Sequence, residues 1–200
     1  MAPERQGVED LTRLADGELV ARCLGAGQRF DGAFAALYAR HADRVFGFLL
    51  GLTRSREAAE DALQETFVRV HRSLERFDAR RDLPAWLLQI ARYVAIDAHR
   101  VERKVKRLEE VVSSGVRPAA DPVIEDAAAH ERAELVQEVL AGLDMDDRAL
   151  LLLRHHHDLT FQAIGEIVDC SARTAQNRVE AAARRFQKAL SRRREGEAAP

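Results

Sequence analysis

The chain has 200 residues, of which 46% are hydrophobic and 32% are charged, and its formal net charge is −2. This composition is typical of a folded globular protein, and it excludes wholesale disorder and collagen-like repeats. The longest apolar run is residues 45–52, whereas a membrane-spanning helix needs roughly 20 apolar residues. Two Cys cannot build a disulfide framework. We therefore predict a cytoplasmic protein with no membrane insertion.

Apolar residues recur at helical spacing in the first half of the chain, in residues 31–52, 57–74 and 84–100. No segment shows the alternation of a strand, so we predict an all-α fold. Residues 111–122 interrupt the pattern with Ser, Gly and Pro and are typical of a flexible linker. We predict two small helical domains that move independently, because few contacts cross such a joint. The predicted segments are a disordered N-terminus at 1–15, a first domain at 16–107, the linker at 108–128, a second domain at 129–194 and a tail at 195–200.

The predicted helix at 57–74 begins with an acidic, polar outer face. Such a face could dock on a basic partner, although acidic residues at a helix start are also favourable chemistry with the helix dipole. The following turns are rich in Arg and contain Phe77 and Trp86. Arg with aromatic residues suits single-stranded nucleic acid. Phe67, Trp86 and Ile90 nevertheless fit a hydrophobic core better, because they recur at helical spacing.

Residues 159–190 have the pattern of a helix-turn-helix motif. Thr160 and Ser171 are candidate N-caps of two helices joined by a short polar break. The amino end of the second helix carries polar side chains that can reach base edges in a major groove. Residues 170–194 also hold eight Arg or Lys against one acid, which suits a polyanion, with solvated helix faces as the alternative.

Neither His nor Cys residues indicate a metal site. Three consecutive residues at 155–157 are His, and adjacent helical residues point about 100° apart, so three cannot converge on one ion. Cys170 could be a redox-sensitive thiol, but a small, buried apolar role is favoured because no resolving Cys is nearby. We predict no metal and no cofactor.

Several motifs in this order resemble the extracytoplasmic-function group of bacterial sigma factors. The first half of the chain resembles region 2 of that family in four motifs: Asp61-x-x-Gln64-Glu65-x-Phe67, Phe77-Asp78, Trp86-Leu87-x-x-Ile90-Ala91-Arg92 and Ala95-Ile96-Asp97-x-x-Arg100. Region 4 is similar to Leu159-Thr160-Phe161-x-x-Ile164-Gly165-Glu166-Ile167 and Ser171-x-x-Thr174-x-x-Asn177-Arg178. The resemblance covers about residues 16–192. Tyr93 departs from the Asn that the family often has, and Gln176, Asn177 and Cys170 also depart from its common residues.

The resemblance implies a transcription initiation factor that binds core RNA polymerase and directs it to promoters. The β′ clamp helices would bind Asp61, Gln64, Glu65 and Phe67. The minus-10 element would be opened and read near Phe77, Asp78, Arg80, Arg81, Asp97 and Arg100. The minus-35 element would be read by Arg173, Thr174, Gln176, Asn177 and Arg178, with the β flap also contacting region 4. An anti-sigma factor is a further implied partner.

Two other functions remain as alternatives. A helix-turn-helix regulator that is not a polymerase subunit would explain the second domain, but not an Arg-rich, all-helical first domain. An enzyme is disfavoured, because the sequence shows no paired carboxylates, no nucleophile with a base and no Gly-rich phosphate loop.

Overall fold

The structure is a computed structural model that describes residues 11, 13–25, 32–109 and 127–197. This part of the chain is helical and contains no strand, as the hydrophobic spacing predicts. Its helices are α1 Asp16–Gly25, α2 Ala33–Thr53, α3 Arg56–Ser73, α4 Leu83–Glu109, α5 Ala127–Gly142, α6 Met145–Leu151, α7 Phe161–Ile167 and α8 Ala172–Glu197. A short 3-10 turn, Leu74–Arg76, follows α3, and a π-helical turn, Leu152–His156, follows α6.

The ends of the chain differ from the prediction where they are described. Leu11 is buried, so the predicted disordered N-terminus is wrong at that residue, because its side chain packs near Gly32. Helix α8 continues to Glu197, so the predicted tail is helical at 195–197. The predicted linker at 108–128 is helical at 108–109 and 127–128, where α4 ends and α5 begins, and its remaining residues, 110–126, lie outside the described residues, as do residues 1–10.

Helices α1 to α4 form the first bundle. Apolar side chains of α2, α3 and α4 meet in its centre, and Phe48, Leu37 and Leu87 are fully buried. Helix α1 is fixed to α2 by Asp16, whose carboxylate accepts a hydrogen bond from Arg40 at 2.7 Å and contacts His41 Nε2 at 3.1 Å. The bundle thereby holds α3 and α4 side by side.

Helices α5 to α8 form the second bundle, and side-chain caps fix its helix starts. Asp144 accepts from the Asp146 amide at 2.9 Å. Thr160 accepts from the Ala163 amide and Ser171 from the Thr174 amide, each at 3.2 Å, so both predicted caps are confirmed. These caps satisfy amides that have no partner within their own helices.

The two bundles pack against each other, which the sequence analysis did not predict. One hydrophobic core contains residues of both, because α7 inserts Ile164 and Ile167 beside α4. Arg148 of α6 donates to the Leu52 carbonyl at the end of α2, at 2.6 Å. The expectation that few contacts cross the joint is therefore wrong. The composition of a linker does not reveal how much apolar surface each bundle leaves uncovered.

Candidate nucleic-acid and partner interface

Helix α3 presents one polar stripe to solvent. Ser55 caps the helix by accepting from the Ala58 amide at 3.2 Å, which fixes where the helix begins. Exposed side chains then follow at helical spacing: Glu57, Asp61, Gln64 and Val68. Val68 is 41% exposed, and its apolar side chain at the end of an acidic stripe suits a protein partner. The sequence analysis missed Val68, although its spacing from Asp61 and Gln64 was visible.

Two residues predicted on this interface are engaged elsewhere. Glu65 is half-exposed and accepts from Arg69 Nε at 2.7 Å. Phe67 is only 4% exposed, and its ring packs against Tyr38 with the centroids 4.6 Å apart. Phe67 thus lies in the core of the first bundle rather than on the exposed stripe of α3.

The loop between the 3-10 turn and α4 is shaped by Asp78. Its carboxylate accepts from the Arg80 amide at 2.9 Å, and its carbonyl accepts from the Arg81 amide at 2.9 Å. Phe77 is partly buried and packs against Trp86 with ring centroids 4.8 Å apart, so this pair belongs to the core rather than to a stacking platform. Arg80 remains exposed at the turn, where a nucleic-acid backbone could approach.

Helix α4 continues this surface with a second stripe. Arg81 donates to Gln89 Oε1 at 3.0 Å, which links the loop to the helix. Gln89 is followed at helical spacing by Tyr93, Asp97 and Arg100, and we call these four residues the α4 stripe. Tyr93 is 41% exposed. The predicted minus-10 residues thus divide into two groups along α4: Phe77, Asp78, Arg80 and Arg81 lie in the loop before the helix, whereas Asp97 and Arg100 lie further along it, beyond Gln89 and Tyr93.

Arg69 connects the faces of α3 and α4. It donates to Glu65 at 2.7 Å and to Asp97 at 3.3 Å, and Asp97 also lies 4.0 Å from Arg100. The hydrogen bond to Glu65 is the main cause that raises the pKa of Arg69 above its usual value. Sequence reasoning missed Arg69, because the contact with Asp97 joins residues 28 positions apart.

The amino end of α8 is exposed, as a groove-reading helix requires. Arg173, Asn177 and Arg178 are exposed side chains. Gln176 is half-buried and donates to Glu180 at 2.9 Å. Thr174 shares a hydrogen bond with Ser171 at 2.9 Å between their hydroxyl oxygens, so its hydroxyl participates in the cap. Of the five predicted residues, Arg173, Asn177 and Arg178 therefore present the most accessible hydrogen-bond donors.

The histidines at 155–157 are divided between the surface and the contact with the first bundle. His155 and His156 are exposed, whereas His157 packs against Phe48 of α2 with ring centroids 5.6 Å apart. No cluster of three or more His, Cys, Asp or Glu side chains is arranged for a metal within residues 11, 13–25, 32–109 and 127–197. Cys170 is partly buried against the core as a free thiol.

His157 is expected to make the contact between the two bundles less stable at acid pH. Burial, with smaller contributions from His156 and Arg44, lowers its pKa from 6.5 to about 4. The unfolded chain therefore takes up this proton before the folded chain does, so stability falls as the pH drops from about 6.5 towards 4.

We expect wild type to lose more stability between pH 7 and pH 5 than His157→Leu does, measured by urea unfolding. The exposed neighbour variant His155→Leu should keep the wild-type pH dependence, and equal pH dependence in His157→Leu would contradict this role.

Known proteins resemble this chain in sequence and in fold. Residues 37–105 match the family Sigma-70 region 2. The RNA polymerase sigma factor CarQ of Myxococcus xanthus is 35% identical over 155 residues, which are 76% of this chain and 87% of CarQ. The extracytoplasmic-function sigma factor SigK of Mycobacterium ulcerans is 28% identical over 180 residues, covering 89% of this chain and 95% of SigK. The chain belongs to the extracytoplasmic-function sigma factors. It is a transcription initiation factor, as the motifs imply.

Two solved structures share the fold of this sigma factor. One is RpoE with the anti-sigma factor NepR from Bartonella quintana, at a TM-score of 0.63 and 21% identity, covering 80% of this chain and 98% of that one. The other is CnrH with the cytosolic domain of CnrY, at a TM-score of 0.63 and 22% identity, covering 88% and 97%. Among the helices described for this sigma factor, none has the length and apolarity to cross a membrane.

Proposed function

We propose that this sigma factor docks on core RNA polymerase through the exposed stripe of α3 and reads promoters through α4 and α8. Asp61, Gln64 and Val68 supply the docking contacts, and the β′ clamp helices are their partner. The α4 stripe and the loop at Phe77 to Arg81 bind and open the minus-10 element. The amino end of α8 enters the major groove of the minus-35 element, and the second bundle also contacts the β flap.

The exposed amino end of α8, capped by Ser171, is the observation that carries this proposal. The cap fixes where α8 begins, and the exposed side chains of its first turns can meet phosphate and base edges. Arg173, Asn177 and Arg178 occupy this position. A regulator that acts without polymerase is not favoured, because the relatives are named RNA polymerase sigma factors.

We infer four further properties. An anti-sigma factor binds this chain, by analogy with the complexes of RpoE and CnrH. The chain works in the cytoplasm as two domains, 16–107 and 129–194, and catalyses no reaction itself.

Run-off transcription with core RNA polymerase tests the proposed function. The chain should start transcription at specific sites, and duplex binding without initiation would support the regulator instead.

The residues at the amino end of α8 should determine minus-35 preference. We expect Ala at Arg173, Gln176 or Asn177 to lower transcription from the preferred promoter and to relax preference at individual bases. A base contact contributes about 1–3 kcal/mol, which corresponds to roughly five- to 150-fold in binding. The measurement is transcription of a promoter library randomised in the minus-35 element by each variant holoenzyme.

Arg184→Ala is the matched control for this experiment. Arg184 is exposed further along α8, so its loss should weaken binding to all sequences alike. Arg185 is unsuitable as a control, because it donates to both oxygens of Asp147 at 2.8 and 2.9 Å inside the second bundle. If the amino-end variants keep the wild-type preference at every base, α8 does not read the element as proposed.

A further inference from the structure

One acidic side chain lies within the basic face of α8. Glu180 is the single acid among residues 170–194, which hold eight Arg or Lys. It is exposed and follows Arg173 by two helical turns, so the two side chains share one face of the helix. Arg184, exposed one turn further on, continues this face. The acid is therefore in the middle of the surface that should meet DNA.

Glu180 belongs to a row of polar contacts along this face. Arg173 Nη1 donates to Gln176 Oε1 at 3.5 Å, and Gln176 Nε2 donates to Glu180 Oε1 at 2.9 Å. The face thus presents a guanidinium, an amide and a carboxylate in that order. Because the amide is neutral, its hydrogen bond does not neutralise the charge of Glu180. A carboxylate has two oxygens and accepts several hydrogen bonds, so Glu180 can also accept from a base.

A carboxylate at this place discriminates among the four bases. DNA phosphates repel it, so it weakens binding unless a base donates a hydrogen bond to it. In the major groove guanine and thymine offer acceptors, whereas cytosine offers the N4 amino group as a donor. Adenine also has a donor, but its N7 acceptor lies beside that donor and repels a carboxylate. Cytosine is therefore the base that best compensates the charge of Glu180.

We propose that Glu180 is a specificity-determining residue of the minus-35 contact, whose carboxylate accepts a hydrogen bond from cytosine N4 and disfavours guanine and thymine. This inference rests on the proposed function, because it requires α8 to lie in the major groove. The seven residues from Arg173 to Glu180 span about 10 Å of helix, or about three base pairs at 3.4 Å each. The cytosine therefore lies about three base pairs from the base that Arg173 contacts.

Reversing the charge of Glu180 should reverse the base preference. Arg donates to guanine O6 and N7, so Glu180→Arg should replace the preferred C·G pair by G·C at this one position. We expect wild type to favour cytosine about tenfold, the Arg variant to favour guanine about tenfold, and Glu180→Ala to favour no base there by more than about twofold. A side chain with a purely structural role would not exchange one preferred base for another.

Transcription of a promoter library randomised in the minus-35 element measures these preferences. Each variant is assembled with core RNA polymerase, and the transcripts are sequenced. Glu195→Arg is the matched control, because Glu195 is exposed about four turns further along α8 and its reversal makes the same change in charge. The control should keep every base preference of wild type. Circular dichroism should show the same helicity in all variants.

Gln176→Ala separates Glu180 from its neighbour. This variant removes the amide that donates to Glu180, and it should relax a different base position while keeping the cytosine preference. Loss of the cytosine preference in Gln176→Ala would assign that base to Gln176 and overturn the proposal. A Glu180→Arg profile identical to wild type at every base would overturn it as well.

A second measurement distinguishes this inference from the proposed function. The same library is captured as duplex DNA by the full chain without polymerase, which gives the base preference independently of initiation. Initiation by wild type with unchanged preference in Glu180→Arg would overturn the role of Glu180 and leave the proposed function standing. Failure of wild type to initiate, with a preference that Glu180→Arg reverses in the captured duplex, would overturn the proposed function and support the role of Glu180.

Discussion

Arg148→Ala is expected to lower the free energy of unfolding by about 3 kcal/mol or more. Arg148 is buried, and its guanidinium donates to the carbonyls of Leu140 at 2.9 Å, Ala141 at 2.9 Å, Leu143 at 3.3 Å and Leu52 at 2.6 Å. Three of these carbonyls are at the end of α5 and one is at the end of α2. Without the guanidinium the Leu52 carbonyl loses its donor in a buried site and the other three lose a donor in part-buried ones, and an unpaired buried group costs about 1–3 kcal/mol.

The positive charge of Arg148 also suits its position. Helix carboxyl ends carry partial negative charge, and Arg148 meets two of them. Burial, with a smaller contribution from the charge of Arg54, lowers the pKa of Arg148, whereas the charge of Asp144 raises it. Arg148→Lys should rescue only part of the loss, because one ammonium cannot reach carbonyls in several directions.

Urea unfolding followed by Trp86 fluorescence and by circular dichroism measures this effect. Trp86 is the single Trp of the chain and lies in the first bundle. Its fluorescence therefore reports whether the loss of Arg148 from the second bundle also destabilises the first. The control is Arg56→Ala, whose exposed pair with Glu60 is worth about 0.3–0.5 kcal/mol. If Arg148→Ala lowers the free energy of unfolding by as little as the control does, Arg148 does not stabilise the ends of α2 and α5 as described.

Asp61→Arg is expected to reduce affinity for core RNA polymerase by about 100-fold or more. Reversing a charge at a complementary interface places like charges together, which typically costs several kcal/mol. Asp61 is exposed in the middle of the α3 stripe. Glu65→Arg is a poorer test, because Glu65 binds Arg69 and its reversal would also disturb the Arg69–Asp97 contact.

Fluorescence anisotropy of the labelled full chain titrated with core enzyme measures this affinity. Asp43→Arg is the matched control, since Asp43 is exposed on α2 away from the stripe and its reversal makes the same change in charge. Helicity should be unchanged in both variants. Equal core affinities of Asp61→Arg and Asp43→Arg would show that α3 does not dock on polymerase.

Local signals in the sequence determined the helices and their starts. Apolar spacing predicted α2, α3 and α4, since a helix must bury one face at a period of 3.6 residues. Thr160 and Ser171 were recognised as caps because a side-chain oxygen is needed where a helix leaves its first amides unpaired. The order of the motifs likewise identified the family, and the comparisons confirm it.

Only the tertiary structure decided which side chains are free to bind and how the two bundles meet. Phe67 and Phe77 fit both a core and an interface by spacing, and only packing against Tyr38 and Trp86 separates the two roles. Arg148 and Asp169 gave no local signal of the contact between the bundles, because their partners there, Leu52 and Gln89, are 96 and 80 positions away. Helical periodicity reports which face of a helix is buried, but contacts between distant segments depend on how the faces of separate bundles fit together.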